Sequence, residues 1–220
     1  VSYLANVGYG IAVAVVGLII TATRIFDGIT DPLIALLIDK LNTKYGKIRI
    51  LLMLGWLIES IAVLLLFVWG SGRFSGTFGF VFFVFMYMVY IIGYTINRVT
   101  GSISAPVMVT DPRQRPVIGV WSTVYSYICP LIFSLVSTVV LLPRFGNEYN
   151  VAFLATNCIM LVAVSLVLNL LACIGVSEID KPENFQGIST KGKVADRISL
   201  RDMGRLLKGN RPLQMFIVSA

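Results

Sequence analysis

The chain has 220 residues, of which 57% are hydrophobic and only 13% charged, with a net charge of +7 and no histidine. So little charge cannot dress the surface of a soluble domain, and the lack of histidine removes the commonest metal ligand and the easiest general base. In chain order, apolar segments fall at about Val7–Ile38, Ile50–Trp69, Phe78–Ser102, Val117–Leu142 and Val151–Val176, and a sixth begins near Leu213. Each of the five is near or above the roughly 20 residues that cross the hydrocarbon core as a helix. The pattern predicts an all-α membrane protein with about five full transmembrane helices in residues 1–176. A cytoplasmic loop over 177–212 follows, and then the start of another span over 213–220.

The loops set the expected orientation. Lys40, Lys44, Lys47 and Arg49 lie in the first, Arg113 and Arg115 in the third, and eight more basic residues between Ser177 and Pro212. The second and fourth loops hold one base each, Arg73 and Arg144. Alternate loops are thus basic, and the positive-inside rule places the first, third and last at the cytoplasm. The +7 charge is accounted for by topology, so no nucleic-acid partner is expected; the bilayer is. Within the tail, Leu200, Met203, Leu206 and Leu207 share one face of a short amphipathic helix that Ser199 can cap. Cys129, Cys158 and Cys173 have no metal or redox spacing and read as small packing residues. Val1 stands where an initiator methionine would, and the last residues, PLQMFIVSA, open a new apolar run. A longer protein is expected.

The first apolar segment contains TRIFDGITDPLIALLIDK, Thr23 to Lys40. At about 100° per residue, Arg24, Asp27, Gly28, Asp31 and Ala35 share a face, and the rest of the helix is suited to lipid. One charge at mid-membrane costs roughly 2.5–3.5 kcal/mol on insertion scales. Such a stripe therefore has to face a polar interior, where Arg24 reaches Asp27 and a spare carboxylate is left for a monovalent cation or a proton. Pro32 removes a helix hydrogen bond and frees the carbonyl of Gly28, one turn earlier, as a further oxygen for a hard cation. The plain alternative is a packing triad that only orients the helix. Glu59, in mid-span, reads either as a protonated packing residue or as a second proton-handling site. Trp56, Trp121, Tyr125 and Tyr127 are candidates to stack on a flat-faced solute, or members of interfacial aromatic belts.

RIFDGITDP followed by DKLNTKYGKIR resembles the second helix and following loop of the glycoside–pentoside–hexuronide:cation symporters, the melibiose-permease-like branch of the major facilitator superfamily. Tyr94–Thr95, the string TDPRQR at Thr110–Arg115, and SLRDMGRLLKGNRPL in the tail carry the same resemblance. It covers nearly the whole chain, as helices two to six and the central loop of a major-facilitator-type bundle; it implies that helix one and the C-terminal half are missing and that this chain needs the missing C-terminal half in order to work.

The resemblance implies a multi-pass carrier of the bacterial inner membrane. Such a carrier moves a sugar or glycoside together with Na⁺, Li⁺ or H⁺ by alternating access, and it has no cofactor. The cation then falls to Asp27 and Asp31, which are metal ligands if the ion is Na⁺, with Thr95, Thr30 and Gly28 assisting. The sugar falls to Tyr94, Arg98, Arg24 and Trp121. Asp39, Lys47, Arg49 and Arg115 take the place of a cytoplasmic gate of salt bridges. Two positions depart from the melibiose pattern. Arg98 stands where a sugar-binding acid is expected, and Ser122 where an arginine is. An arginine prefers anions, so an acidic solute such as a hexuronide is expected. The alternative for Arg98 is that it snorkels to the interface. Two other functions belong to the same scaffold, a lysolipid carrier and a non-transporting sensor. An enzyme is not expected: the D-G of Asp27–Gly28 continues as I-T-D-P, unlike the CDP-alcohol phosphotransferases, and there is no HExxH or Ser/His pair.

Overall fold

A computed structural model describes residues 1–40, 46–108 and 115–180. The chain divides into two compact units, Val1–Asn184 and Phe185–Ala220. The second unit, and with it the amphipathic tail helix and the sixth apolar run, lies outside the described residues.

All regular structure among the described residues is helical. Helix α1 spans Ser2–Tyr9 and stops at Gly10, whose φ of 69° is left-handed and suits a residue without Cβ. Helix α2 spans Val13–Lys40. The expected first span, Val7–Ile38, is therefore two helices: Gly10 ends one, and the apolar period cannot reveal the break because both sides are equally apolar. Helix α3, Ile48–Leu64, continues as a π-helix over Leu65–Gly70. There the Leu66 carbonyl accepts a 2.7 Å hydrogen bond from the Tyr9 hydroxyl, which ties α1 to the far end of α3. Helix α4 spans Gly76–Met108. Helix α5, Arg115–Leu135, passes through Pro130, then becomes a π-helix over Val136–Leu141 and a 3-10 turn over Leu142–Phe145. Helix α6 spans Val151–Val176 and is capped by Asn150, whose side-chain oxygen accepts from the Phe153 N–H at 2.8 Å.

Among the described residues four of these helices are long and apolar enough to cross a membrane: Ile48–Gly70, Gly76–Ser104, Pro116–Phe145 and Val151–Val176. At 28 residues α2 is also long enough by length, and it is the helix that carries Arg24, Asp27 and Asp31. Helices α5 and α6 leave most of their leucines, isoleucines and valines uncovered. In water that exposure would cost about 25 cal/mol per Å²; lipid removes the cost.

Among the described residues the most extensive helix pairing is that of α3 with α4. A Cβ added to Gly93 would lie 2.7 Å from the Glu59 backbone nitrogen and 2.9 Å from the Gly55 carbonyl oxygen. One added to Gly55 would lie 3.1 Å from the Gly93 carbonyl oxygen. The two backbones thus touch where each helix offers a glycine, the small-residue geometry that membrane helices use when no hydrophobic force drives them together. Around this crossing, Leu51 and Ile96 are buried, with Ile34 of α2, Ile58, Ile92, Val99 and Ile103 packed on them. A second core of Leu4, Ala5, Tyr9, Ile11, Val16, Leu66 and Phe83 holds α1, the start of α2 and the far ends of α3 and α4.

The other end of α3 is held by a residue 131–133 positions away. Asp180, in the turn after α6, is 1% exposed. Its carboxylate accepts hydrogen bonds from the backbone N–H groups of Lys47 (2.8 Å), Ile48 (3.1 Å) and Arg49 (2.9 Å). It also accepts one from Arg49 Nε at 3.4 Å. Three orphan donors at the start of a helix meet one anion, as the positive end of the helix dipole favours. Gly46 makes room for it: its φ is 95°, and a Cβ there would run into the Asp180 side chain.

Two outcomes are expected for the full-length protein in detergent. Gly93→Ala should lower the thermal midpoint. The overpacking, about 1–3 kcal/mol, falls on backbone that cannot yield and exceeds the roughly 1 kcal/mol gain in helix propensity. Asp180→Ala should destabilise by about 1–2 kcal/mol through loss of the cap, and an unchanged unfolding curve would refute the capping role.

Candidate functional site

The charged stripe sits on α2, in the stretch that packs along α4. Arg24 Nη1 and Asp27 Oδ2 are 4.0 Å apart, with the Arg24 side chain 72% and the Asp27 side chain 24% exposed. This is an open i,i+3 pair, so the arginine neutralises only one side of the carboxylate. The other oxygen, Asp27 Oδ1, is buried and has no hydrogen-bond partner among the described residues. Asp31, one turn on, is exposed, and no ion pair to it is seen among the described residues. Gly28 is exposed between them, with open space where a Cβ would stand. Thr30 donates its hydroxyl hydrogen back to the Phe26 carbonyl (3.0 Å), with a longer approach to that of Asp27 (3.4 Å), and keeps its oxygen lone pairs for another partner. The helix assignment is continuous through position 32.

An orphaned buried carboxylate oxygen beside a second carboxylate, a hydroxyl and an exposed glycine is a donor set that suits a hard cation or a proton. A buried acceptor left unsatisfied costs about 1–3 kcal/mol, and an arriving cation would remove that cost. Among the described residues no group of three or more Cys, Asp and Glu side chains gathers anywhere.

On α4, Thr95 is buried, 3% exposed, while Tyr94 and Arg98 are exposed. The Tyr94 ring stacks on Tyr90 with centroids 6.1 Å apart and planes 19° apart, and the Arg98 guanidinium carbon lies 5.7 Å from the Tyr94 centroid. Tyr90 precedes Tyr94 by four residues and Arg98 follows it by four. They lie on either side of Tyr94 along the helix. The cation–π contact holds Arg98 at the Tyr94 level. This row extends down α4 through Tyr87 and Phe83, successive rings being 6.0–6.1 Å apart.

Helix α5 contributes exposed Trp121, 5.9 Å from Tyr125 between centroids, and exposed Tyr127. Ser122, Thr123 and Ser126 are also exposed, and the Thr123 and Ser126 hydroxyls donate to Gly119 and Ser122 carbonyls. Trp56 is used differently from the expectation: its indole N–H donates to Ser165 Oγ at 2.9 Å, which ties α3 to α6.

The structure thus joins Arg24 with Asp27 and Tyr94 with Arg98, and it sets the helix of the first pair against the helix of the second. No hydrogen bond links the α2 carboxylates to Thr95 among the described residues. Of the four gate residues, the side chains of Asp39 and Arg115 lie outside the described residues. Lys47 and Arg49 engage Asp180 as described above, Lys47 through its backbone N–H. Sequence reasoning missed Asp180, because a lone aspartate in SEIDKP has no local signal for a contact 131 residues away. It also missed Asn97, which donates from Nδ2 to Glu59 Oε2 at 2.9 Å across the α3–α4 crossing. The glycines at positions 55 and 93, each four residues before its polar neighbour, were the available signal for that contact.

Comparison with known proteins agrees with this geometry. Residues 2–220 match the family described as MFS/sugar transport protein. A curated relative from Escherichia coli (strain K12), YagG, described as a candidate glycoside/cation symporter, is 26% identical over 113 residues. That alignment covers 51% of this chain and 24% of the relative, so the chain spans well under two thirds of that protein's length. No solved structure gives a match. A multi-pass membrane protein, the chain belongs to the sugar-transport family of the major facilitator superfamily.

Proposed function

We propose that this chain is part of a cation-coupled sugar symporter, with Asp27 and Asp31 binding the coupling cation and α4 binding the solute. The observation that carries this reading is the buried, unpartnered Asp27 Oδ1 on an intramembrane stripe whose second carboxylate, Asp31, has no counter-charge among the described residues. Charge placed in a membrane helix at such cost marks an ion or solute pathway. The family match and the name of the curated relative support the same reading.

In this mechanism, Na⁺, Li⁺ or H⁺ neutralises the pair and takes oxygens from Asp27, Asp31, Thr30 and the Gly28 backbone, with Thr95 approaching from α4. Binding draws α2 and α4 into one arrangement and raises affinity for the sugar. By linkage, the sugar raises cation affinity by the same factor. The Tyr94 hydroxyl and the Arg98 guanidinium meet the solute, Arg24 and Trp121 lie at the edge of the same face, and the second bundle closes over it in alternating access. Because Arg98 is a cation held 5.7 Å over Tyr94, the solute is an acidic glycoside, such as a hexuronide. The bond from Arg49 to Asp180 joins residues of one compact unit. It is assigned to holding α3 and α6 together, whereas Asp39, Lys47 and Arg115 keep the gate role.

Two outcomes follow in the full-length protein reconstituted in vesicles. Asp27→Cys and Asp31→Cys should each abolish cation-stimulated uptake of a labelled glycoside, a loss of at least about tenfold for one cation contact of some 1.4 kcal/mol; stimulation surviving both changes refutes the coupling role. Arg98→Ala should reduce uptake of a uronic glycoside by about tenfold or more, the loss of one charge-assisted bond, and spare a neutral one. Uptake of the uronic glycoside unaffected by Arg98→Ala would remove the acidic-substrate assignment, and competition by lysophospholipid would redirect the solute to lipid.

A further inference from the structure

The α3–α4 crossing holds an ionisable side chain that the transport reading does not use. Glu59 of α3 is half-buried, and its Oε2 accepts a 2.9 Å hydrogen bond from Asn97 Nδ2 of α4. The other end of that amide, Asn97 Oδ1, is buried and has no donor. It is pressed against Gly55, where an added Cβ would stand 2.5 Å from it.

Around Glu59 there is no base to pair with. No ion pair reaches it among the described residues. From α4 the titratable group that shares its field is Tyr90, a phenol, whose own neighbours are Tyr87 and Tyr94. Helix α6, packed along α3, has no Asp, Glu, Lys or Arg from Val151 to Val176, and its Cys158 thiol lies 3.8 Å from the Val63 carbonyl. Helix α2, packed on α4, directs Arg24 to Asp27. On α3 itself the next charge is Arg49, ten positions back and bonded to Asp180.

An ionised glutamate is an acceptor only, and it cannot satisfy Asn97 Oδ1. It would leave a negative charge and an orphan acceptor side by side in a low-dielectric interior, the arrangement that costs most. A protonated glutamate has the one group that is lacking, an O–H. Acid and primary amide are then complementary: the amide N–H donates to one acid oxygen, and the acid O–H donates to the amide oxygen.

We propose that Glu59 and Asn97 form a proton-binding site that clasps α3 to α4. Glu59 takes the proton from water as a carboxylate and holds it as a neutral acid against Asn97. Release of that proton leaves two acceptors facing each other at the glycine crossing and loosens α4, the helix that bears Tyr94, Thr95 and Arg98. The site is separate from the carboxylates of α2 and requires no particular solute or coupling ion.

Infrared spectroscopy of the purified full-length protein tests this. At neutral pH the wild type should show a protonated-carboxyl C=O band that is lost in Glu59→Gln and displaced in Asn97→Leu. Glu59→Gln should keep the thermal midpoint of the wild type at low pH and lose its fall as pH rises, because glutamine reproduces both hydrogen bonds of the acid form without the proton. No protonated-carboxyl band removed by Glu59→Gln would overturn the proposal. So would a Glu59→Gln protein that cannot be recovered folded, because the isostere of the acid form would then fail to replace it.

Discussion

The structure depends on the backbone contact of α3 with α4. In a bilayer, burying leucine between helices gains little over leaving it in lipid, so helices must be held by close packing and polar contacts instead. Gly55 and Gly93 supply the closeness, and one turn from each, Glu59 and Asn97 supply the polar contact. Helices α2 and α6 then pack on the pair from either partner. A side chain larger than hydrogen at either glycine would separate the helices and remove the platform that α2 lies on.

That platform decides what the charges of α2 can do. Arg24, Asp27 and Asp31 would be a misfit on a helix surrounded by lipid, but α4 presents Tyr94 and Arg98 on an uncovered face, and α5 presents Ser122, Thr123 and Ser126. Three helices that are otherwise apolar thus keep polar residues on their uncovered faces. The polar groups are also incompletely satisfied among themselves: Arg24 approaches only one oxygen of Asp27, and the other oxygen is buried without a partner. A fully closed network would favour a structural triad. An open one leaves a carboxylate oxygen without a partner.

The basic end of α3 follows different physics. Asp180 is buried, yet it is satisfied by three backbone N–H groups and an arginine, and it sits at the positive end of a helix dipole. Such an anion is held by four hydrogen bonds at once, all to the start of one helix. Arg49, which belongs by resemblance to a gate that opens and closes, is thus partly committed to a contact within its own compact unit.

Much of this was legible in one dimension. Apolar runs of membrane-spanning length defined the helices, and the run Val151–Val176 coincides with α6 because polar residues bound it on both sides. The period of 3.6 residues placed Arg24, Asp27 and Asp31 on one stripe without any neighbour being known. The break at Gly10 and the π-helical ends of α3 and α5 were not legible, because hydropathy is blind to backbone handedness and to a carbonyl that a distant tyrosine will satisfy. Nor were Asp180 on α3, Asn97 on Glu59, Trp56 on Ser165 or the stacking of Tyr94 between Tyr90 and Arg98. In all but the last, the partners are 38 to 133 positions apart. What the sequence by itself determined was which residues lie along each helix and where charge enters the membrane, since those follow from local periodicity. Which buried groups find partners, and which are left without one, was decided only when the helices packed, because hydrogen bonding is satisfied in three dimensions.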